Sequence, residues 1–427
     1  MNMTLHSRIK AFISSPNVRN GAIYTIFSFV NRGLSFVLLL LLAGYLTTND
    51  YGLLNLFNTF ATLVGILITL GTTSFVSIAF FRKSRQDLNK IIGFALFVTT
   101  VVLIIISIVL LLFPHQAQTI SGIDLEYLFI ALFVCYTTEV SNLNLLLWQL
   151  EEKPISYGVF TLVMAVCNFL LTIWFVIGLK MNWEGRAYSQ LLVSSVLGVY
   201  SFWFIVKRKY ISFSIFDKSL ILEVFAYGLP LVPHMMSFWF KQGCDRYIIK
   251  YFWDASFVGV YSFALNFAAI IGMIGTAFNA SNSVFMFKNL AQGYANRKQT
   301  LQKITRVMIG IYAVVFIVIW IGSAWGIPLF LPRYTDSIVL LLPVCLGAFA
   351  QCLYLLYVNY LFFYKKTRQL MYITFSTALL QFAVSIWLTR YSILYTAYTS
   401  MAISIITFLG VYLISSRTLH IQDQMTE

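Results

Sequence analysis

Charged residues are scarce in this sequence of 427 residues. Asp, Glu, Lys and Arg together make up 10% of it, while hydrophobic residues make up 59% and the mean hydropathy is +0.82. Soluble domains carry roughly 25% charged residues. Apolar runs recur along the whole chain and leave no stretch polar enough for a separate soluble domain. The composition therefore excludes an ordinary soluble protein and predicts an all-α protein that crosses a membrane many times.

Metal-binding and disulfide patterns are missing as well. The five cysteines have no CxxC spacing and all fall within or beside apolar runs, and the four histidines form no HExxH pattern. We predict no metal site and no cofactor. The polar first twenty residues lack a small-residue cleavage site, so no cleavable signal peptide is expected.

Apolar segments long enough to cross a bilayer, which requires about 20 residues in a helix, occur twelve times. The predicted spans are 21–46, 51–81, 91–113, 125–148, 157–179, 187–206, 224–249, 257–285, 304–326, 338–364, 370–390 and 393–415.

Basic residues indicate which way these spans run. With the N-terminus in the cytoplasm, 20 Lys and Arg residues fall in inside segments and 5 fall outside. This bias follows the positive-inside rule and predicts that both termini are cytoplasmic. Most of the net charge of +14 is then a topology signal. Membrane lipids are the expected partners of this charge, and no nucleic acid partner is expected.

A basic linker divides the twelve spans into two equal halves. We predict an N-terminal six-helix bundle at 1–206, a cytoplasmic linker at 207–223 and a C-terminal six-helix bundle with a short tail at 224–427. An offset of 207 residues places Gly52 on Gly259 and Gly21 on Gly228, which suggests an internal repeat. Transporters built from such repeats bind substrate near the middle of the membrane.

Polar residues follow a helical period on four of the spans. In the seventh span, His234, Ser237, Lys241 and Asp245 share one face, where Lys241 and Asp245 could pair. The first, second and eighth spans carry similar stripes that include Asn31, Asn58 and Asn266. These stripes predict a water-filled cavity between the halves, and interhelical hydrogen bonding is the alternative interpretation.

Full charges inside the spans are few. Arg32 lies 11 residues into the first span, about 16 Å deep, and Glu139 is the only acid near the centre of a span. Lys241, Asp245 and Arg246 lie toward the outer end of the seventh span. Charges in hydrocarbon are costly, so such residues usually face a cavity or a partner. The alternatives are a structural Arg32 tied to Glu139 or to backbone carbonyls, a protonated Glu139 hydrogen-bonded to a neighbouring helix, and an interfacial position for the other three.

Two stretches of the sequence resemble a known family. The runs 227-YGLPLVPHMMSFWFKQGCDRYIIKYF-252 and 17-NVRNGAIYTIFSFVNRGLSFVLLLLLAGYLTTNDYGLLNLF-57 are similar to the Wzx-type flippases of the MOP superfamily. These proteins move undecaprenyl-pyrophosphate-linked O-antigen or capsule repeat units. The resemblance covers essentially the whole chain. It implies a MATE-like fold of two six-helix bundles, a cation-lined cavity and, as in related members, coupling to a gradient of H⁺ or Na⁺. The sequence departs from this pattern in having few mid-membrane cations, of which Arg32 is the only deep one.

The residues and the resemblance together predict a flippase in a bacterial inner membrane. It would carry polyprenyl-pyrophosphate-linked oligosaccharide from the inner to the outer leaflet by alternating access, with a polysaccharide polymerase and a chain-length regulator as further partners. The expected substrate-binding residues are Arg32, Asn31, Asn58, Lys241, Arg246 and Asn266, and the expected ion-coupling residues are Glu139 and Asp245. A MATE-type multidrug antiporter is the main alternative. A membrane polysaccharide polymerase or ligase is disfavoured because the outside segments are short.

Overall fold

A computed structural model describes residues 16–212 and 217–424 of the chain. Within these ranges the secondary structure is helical, and twelve helices are long and apolar enough to cross a membrane. The helices begin and end as follows: α1 Pro16–Tyr45, α2 Thr48–Ile68, α3 Thr72–Arg82, α4 Arg85–Leu112, α5 Pro114–Ser121, α6 Leu125–Leu150, α7 Pro154–Ile173, α8 Glu184–Lys207, α9 Lys218–Gly228, α10 Leu231–Gln242, α11 Cys244–Phe252, α12 Ala255–Leu290, α13 Tyr294–Phe330, α14 Ile338–Phe363, α15 Thr367–Thr389 and α16 Ile393–Gln424.

Two short segments extend these helices. A π-helical turn at Trp174–Gly178 continues α7, and a 3₁₀ turn at Pro332–Ser337 precedes α14. The predicted number of spans is confirmed, and the chain is a multi-pass membrane protein. The cytoplasmic location of both termini stays a prediction.

The chain divides into two compact units. Unit 1 contains the residues up to Leu46 and 56–235, and unit 2 contains Thr47–Asn55 and the residues from Met236 onward. The first turns of α2 thus belong to unit 2, and the boundary near the middle of the chain falls within α10. The limits of 1–206, 207–223 and 224–427 stay a prediction.

The second predicted span, 51–81, is not one helix. The chain breaks between α2 and α3, where Leu70 and Gly71 adopt left-handed φ angles of 46° and 72°. Gly71 lies directly against the backbone of Gly228 at the end of α9, where an added Cβ on either glycine would overlap the other's backbone. Glycine is required here because it tolerates positive φ and allows this close approach. The apolar length of the segment concealed the break.

The seventh predicted span, 224–249, is also broken. It consists of the end of α9, then α10 and α11, with interruptions before Leu231 and at Gly243. Pro230 and Pro233 lie at and just after the first interruption, where proline fits the first turn of a new helix. A single periodic stripe from His234 to Asp245 was therefore a wrong prediction, because the helix does not continue through Gly243.

The 207-residue offset reappears in the structure. The helices α1 and α11 end at Tyr45 and Phe252, and α2 and α12 begin three residues later in each case. A Cβ on Gly52 would overlap the carbonyl oxygen of Ala255, and a Cβ on Gly259 would overlap that of Thr48. The contact is reciprocal, because Thr48 corresponds to Ala255 and Gly52 to Gly259 at this offset. The predicted equivalence of the two glycines thus has a structural counterpart.

A second offset of 213 residues relates later elements. The helices α6 and α14 are both 26 residues long, and the turns that follow them match. Glu152 and Lys365 have left-handed φ angles of 55° and 56°. The next residue in each turn, Lys153 or Lys366, donates its backbone N–H to a carbonyl five residues earlier at 2.8 Å. The repeat therefore extends through the fourth and tenth spans with a six-residue shift.

The predicted linker is partly ordered onto unit 1. The N–H of Ser212 donates to the carbonyl of Asn89 at 3.1 Å, and the Ser212 carbonyl lies where a Cβ on Gly93 would be. Tyr210 is 3% exposed, and its ring lies under the guanidinium of Arg85 at 3.4 Å. Residues 208–212 thus fill a groove along the first turns of α4, whereas the end of the predicted linker forms the start of α9.

Glu151 anchors this linker just beyond the end of α6. It accepts hydrogen bonds from Arg208 and Tyr210 and forms an ion pair with Lys153 at 3.0 Å. Burial alone would raise the pKa of Glu151, but the hydrogen bonds from Arg208, Tyr210 and Lys153 outweigh it and lower the pKa to about 2.

Candidate substrate and ion site

Asp245 occupies the most complete polar cluster of unit 2. Its side chain is 2% exposed at the start of α11. One carboxylate oxygen accepts from the hydroxyl of Ser385 at 3.0 Å, and the other accepts from Gln381 at 3.0 Å and from Tyr261 at 3.2 Å. Three neutral donors on α12 and α15 therefore hold this carboxylate. Such a cage stabilises a buried negative charge and could also bind a proton or a small cation.

Lys241 does not pair with Asp245. Its ammonium donates to the hydroxyls of Thr377 at 2.8 Å and Thr407 at 3.1 Å, on α15 and α16. The predicted pairing was wrong, because the interruption at Gly243 removes the continuous helix that it required. The two residues are connected instead through Gln381, whose amide donates both to the Lys241 carbonyl at 2.8 Å and to the Asp245 carboxylate.

Arg246 of α11 and Asn266 of α12 extend this polar region. Arg246 donates from Nε to the hydroxyl of Ser262 at 2.9 Å and from Nη1 to the carbonyl of Gln242 at 2.6 Å. Asn266, one turn beyond Ser262, donates to the hydroxyl of Tyr51 at 2.6 Å. Unit 2 thus brings four of the predicted residues into one polar region: Lys241, Asp245, Arg246 and Asn266.

Arg186 forms an equivalent cluster in unit 1, although the sequence pattern had placed it in an outside loop. The helix α8 begins at Glu184, so Arg186 lies in its first turn. Its Nη1 donates to Thr172 at 2.8 Å and to Asn168 at 3.2 Å, both on α7. The spacing of Asn168 and Thr172, four residues apart in an apolar span, was a signal that could have revealed this site.

Asn58 joins the Arg186 cluster through Gln190. The Gln190 amide lies 3.4 Å from the side-chain oxygen of Asn58. If the oxygen and nitrogen of the Gln190 amide exchange places, the oxygen accepts from Nε and Nη2 of Arg186, each at 3.2 Å. The amide orientation is an assignment from hydrogen bonding, and in both orientations Gln190 lies between Asn58 and Arg186. One predicted substrate-binding residue of unit 1 is therefore close to an arginine.

Glu139 lies apart from Arg32 in its contacts. It is half-buried on α6 and accepts from Asn142 at 3.3 Å, with Thr73 of α3 as a second hydrogen-bond partner. Thr73 belongs to the first turn after the break at Gly71. Glu139 is thus adjacent to an irregular segment of the second span, and the alternative of an Arg32–Glu139 pair is not found.

Arg32 and Asn31 have open hydrogen-bonding capacity on α1. Arg32 is exposed and has no hydrogen bond or ion pair with any residue of 16–212 or 217–424. The side-chain oxygen of Asn31 is buried without a partner in the same part of the chain. The roles proposed for these two residues stay predictions.

The span cations share one property across both units. Lys241, Arg246 and Arg186 are held by hydroxyl, amide or backbone oxygens. The ion pairs found in the described ranges, Lys83–Glu223, Lys153–Glu151 and Arg208–Glu151, include none of them. None of the three therefore forms an ion pair with a described carboxylate, although Arg246 lies next to the charge of Asp245 in the sequence. Groups of this kind bind anions, and arginine suits phosphate oxygens best because its donors form a planar fork.

Solved structures share this fold. A MATE family multidrug resistance transporter of the MOP superfamily, solved in an inward-facing conformation, matches with a TM-score of 0.74 and 13% identity over 92% of this chain and 96% of its own. The lipid II flippase MurJ, in an inward closed conformation, matches with a TM-score of 0.72 and 14% identity over 92% and 87%. The chain therefore shares the fold of these two transporters.

Sequence comparison then identifies the family. The model of the polysaccharide biosynthesis protein family matches residues 17–282, well over half of the chain, and the chain belongs to that family. The MatE family model matches residues 230–387. Lsg locus protein 1 of Haemophilus influenzae is 23% identical over 92% of this chain and 96% of its own length. The family and fold that the resemblance implied are confirmed.

Proposed function

We propose that this protein moves a polyprenyl-diphosphate-linked oligosaccharide from the inner to the outer leaflet of a bacterial cytoplasmic membrane by alternating access. The observation that carries the proposal is the set of cations Arg186, Lys241 and Arg246, whose hydrogen bonds to described residues go to hydroxyl, amide and backbone oxygens. A diphosphate head must cross about 30 Å of hydrocarbon. Cations held only by neutral groups stay available to compensate its charge.

Hydroxyl and amide side chains surround these cations. Asn58 and Gln190 lie beside Arg186, and Thr377 and Thr407 beside Lys241. Such groups both donate and accept hydrogen bonds, which suits sugar hydroxyls. Membership of the polysaccharide biosynthesis family supports this substrate class over a cationic drug. Arg32 and Asn31 on α1, with open hydrogen-bonding capacity, are proposed as further contacts for the same head group.

Asp245 is the proposed coupling site. Its two oxygens converge with the hydroxyls of Ser385 and Tyr261 and the amide of Gln381. A protonated carboxyl group would donate one of these hydrogen bonds instead of accepting it. The neutral group would then no longer require three donors. A coupling proton or Na⁺ could thus change the contact between α11 and α15. Glu139, beside the break between α2 and α3, is a second acid proposed to respond to the gradient.

Deletion of the gene tests the substrate. We expect loss of the long-chain surface glycan and accumulation of lipid-linked units that a membrane-impermeant glycan-cleaving enzyme reaches only from the cytoplasmic side. Complementation with the unaltered gene should restore the glycan, and Arg186→Gln should not. Arg390→Gln is the matched control, because Arg390 is exposed and donates to the adjacent Tyr391.

Two results would count against this function. A normal glycan and normally exposed lipid-linked units in the deletion strain would refute it. Hypersensitivity of that strain to cationic dyes, with a normal glycan, would support the multidrug antiporter instead.

A further inference from the structure

A cavity of about 380 Å³ opens in unit 2, outside the clusters described above. Its walls are the first turns of α13, the last turns of α14 and the end of α16. The residues that matter for its chemistry are Tyr294, Lys298, Arg306, Tyr357, Tyr412 and His420. The hydrogen-bond partners described for Asp245, Lys241 and Arg246 are not among the residues that line this cavity, so we treat it as a separate feature of the molecule.

One face of α13 supplies the cations. Tyr294, Lys298, Gln302 and Arg306 are each four residues apart, so they form a stripe that faces the cavity. Arg306 lies inside the apolar span Arg297–Phe330 and forms no hydrogen bond or ion pair with any residue that the structure describes. Arg306 is exposed where it borders the cavity, so its guanidinium is accessible to an anion.

The remaining lining is neutral or basic. Among the described residues that line the cavity there is no Asp or Glu, whereas a histidine and four tyrosines are present. Tyr360 is buried and hydrogen-bonded to Thr305, and the rings of Tyr357 and Tyr412 meet edge to face at 5.0 Å. These contacts fix the aromatic wall in place. Two flexible cations opposite a wall of hydroxyl-bearing rings can hold phosphate oxygens together with an attached polar group.

In unit 1, the corresponding groove along the first turns of α4 is filled by the linker residues 208–212. The helices α4 and α13 begin at Arg85 and Tyr294, which places Lys298 at the position of Asn89. In unit 1 the linker returns over this turn, and Ser212 donates to the Asn89 carbonyl. In unit 2, α16 instead continues as a helix to Gln424. The groove of unit 1 is closed by the chain itself, whereas the corresponding face of α13 in unit 2 borders the cavity.

We propose that the cavity of unit 2 binds a phosphate mono- or diester, with Lys298 and Arg306 as the principal contacts. The charge distribution predicts that these helix ends face the cytoplasm. An anionic phospholipid of the inner leaflet and a soluble phosphate compound could both supply this group there. The proposal concerns a site distinct from the transport cations, so it does not depend on the identity of the transported lipid.

Binding to the full-length protein in phosphatidylcholine nanodiscs tests the site. The probe is phosphatidylglycerol, added at increasing fractions and counted on the protein by native mass spectrometry. We expect the double variant Lys298→Gln/Arg306→Gln to bind it roughly 25-fold more weakly, which corresponds to about fivefold per cation. The matched control is Arg297→Gln/Lys303→Gln, which removes two cations of the same helix that do not line the cavity. The control should change affinity less than twofold.

Competition separates the two sources of phosphate. Displacement of phosphatidylglycerol by inorganic phosphate would assign the site to a soluble compound, and persistence of the lipid would assign it to a headgroup. Either result supports the proposal. Equal affinity of the cavity variant and the control would overturn it. The variant Arg306→Lys controls for a folding defect. It should have the melting temperature of the unaltered protein and bind phosphatidylglycerol with intermediate affinity. Unaltered affinity in both Arg306→Lys and Arg306→Gln would also overturn the proposal.

Discussion

Equivalent helix positions in the two units contact side chains of opposite charge. In unit 1, Asn168 and Thr172 of α7 contact a guanidinium. In unit 2, the residues 213 positions later, Gln381 and Ser385 of α15, contact a carboxylate. The same offset relates the turns that precede these two helices. A repeated scaffold has thus kept an amide and a hydroxyl four residues apart while the charge opposite them changed sign.

Amides and hydroxyls allow this change because they both donate and accept hydrogen bonds. Thr172 accepts from Arg186, whereas Ser385 donates to Asp245. The pair of amide and hydroxyl groups therefore does not determine the sign of the charged side chain that it contacts. The sign is set by one residue on a neighbouring helix, on α8 in unit 1 and on α11 in unit 2. Under the proposed function, one unit would contribute to holding the anionic head group and the other to holding the coupling cation.

The largest expected loss of stability comes from removing the carboxylate of Asp245 in unit 2. Asp245→Ala leaves the donors of Tyr261, Gln381 and Ser385 without their acceptor, and we expect the free energy of unfolding to fall by about 3 kcal/mol or more. Asp245→Asn keeps one oxygen and should cost about 1 kcal/mol. Thermal unfolding in detergent measures both.

Transport in vesicles then sharpens the assignment of Asp245. If this residue couples the gradient, Asp245→Asn should fold but lose the dependence of transport on an imposed pH or sodium gradient. A variant with unaltered gradient dependence would make the cage structural only.

The next effect concerns the cation of unit 1. Arg186→Gln removes the charge proposed to hold a diphosphate, so the initial transport rate should fall by about 10- to 150-fold, the equivalent of one charged hydrogen bond. Arg186→Lys keeps the charge but loses the fork, and should recover only part of the rate. Initial rates in vesicles without a gradient isolate this step. Equal rates in both variants and the unaltered protein would show that Arg186 only supports the packing of α7 on α8.

A third experiment addresses the linker that closes the groove of unit 1. The pKa of Glu151 is lowered from 4.5 to about 2, so its contribution to stability is complete above about pH 4.5 and is lost as the pH falls toward 2. We expect Glu151→Gln to cost about 2 kcal/mol near pH 7 and to flatten the acid side of the stability curve. Melting temperatures between pH 7 and 3 test this. The control is Glu223→Gln, whose ion pair with Lys83 is more exposed and should contribute below 1 kcal/mol; parallel curves for all three proteins would contradict the role of Glu151.

The smallest effect tests whether the two clusters are energetically independent. Thr172→Val and Ser385→Ala each remove one buried hydroxyl that contacts the central charge, at about 1 kcal/mol apiece. Because the two residues contact separate charges in separate units, the double variant should show the sum of the two losses. Thermal unfolding of the four proteins completes the cycle. A loss that departs from the sum by more than about 0.5 kcal/mol would mean that the clusters are coupled.

Apolar length was sufficient to predict the number of spans. The tenth span was predicted at 338–364 and α14 is Ile338–Phe363, because a bilayer imposes one narrow range of helix lengths. The breaks at Gly71 and Gly243 were not visible in this way. A hydropathy pattern averages over many residues, whereas each break is a local backbone feature stabilised by packing, as Gly71 is by Gly228.

The candidate site could be predicted only in part. Lys241, Asp245, Arg246 and Asn266 were identified because charge and amide groups are rare in apolar spans. Arg186 was missed because its position, one residue outside the predicted span, depended on a boundary that hydropathy fixes only to within a few residues. Its partners on α7 became apparent only when the helices were placed side by side.

The reciprocal contact of Gly52 and Gly259 also has a consequence for biosynthesis. The first turn of α2 packs against the first turn of α12, which the ribosome makes 207 residues later. At about 5–20 residues per second, this interval lasts roughly 10–40 s. During that time the glycine surface of α2 has no Ala255 to contact, so the nascent N-terminal helices must wait in the membrane with one docking surface open until the eighth span is inserted.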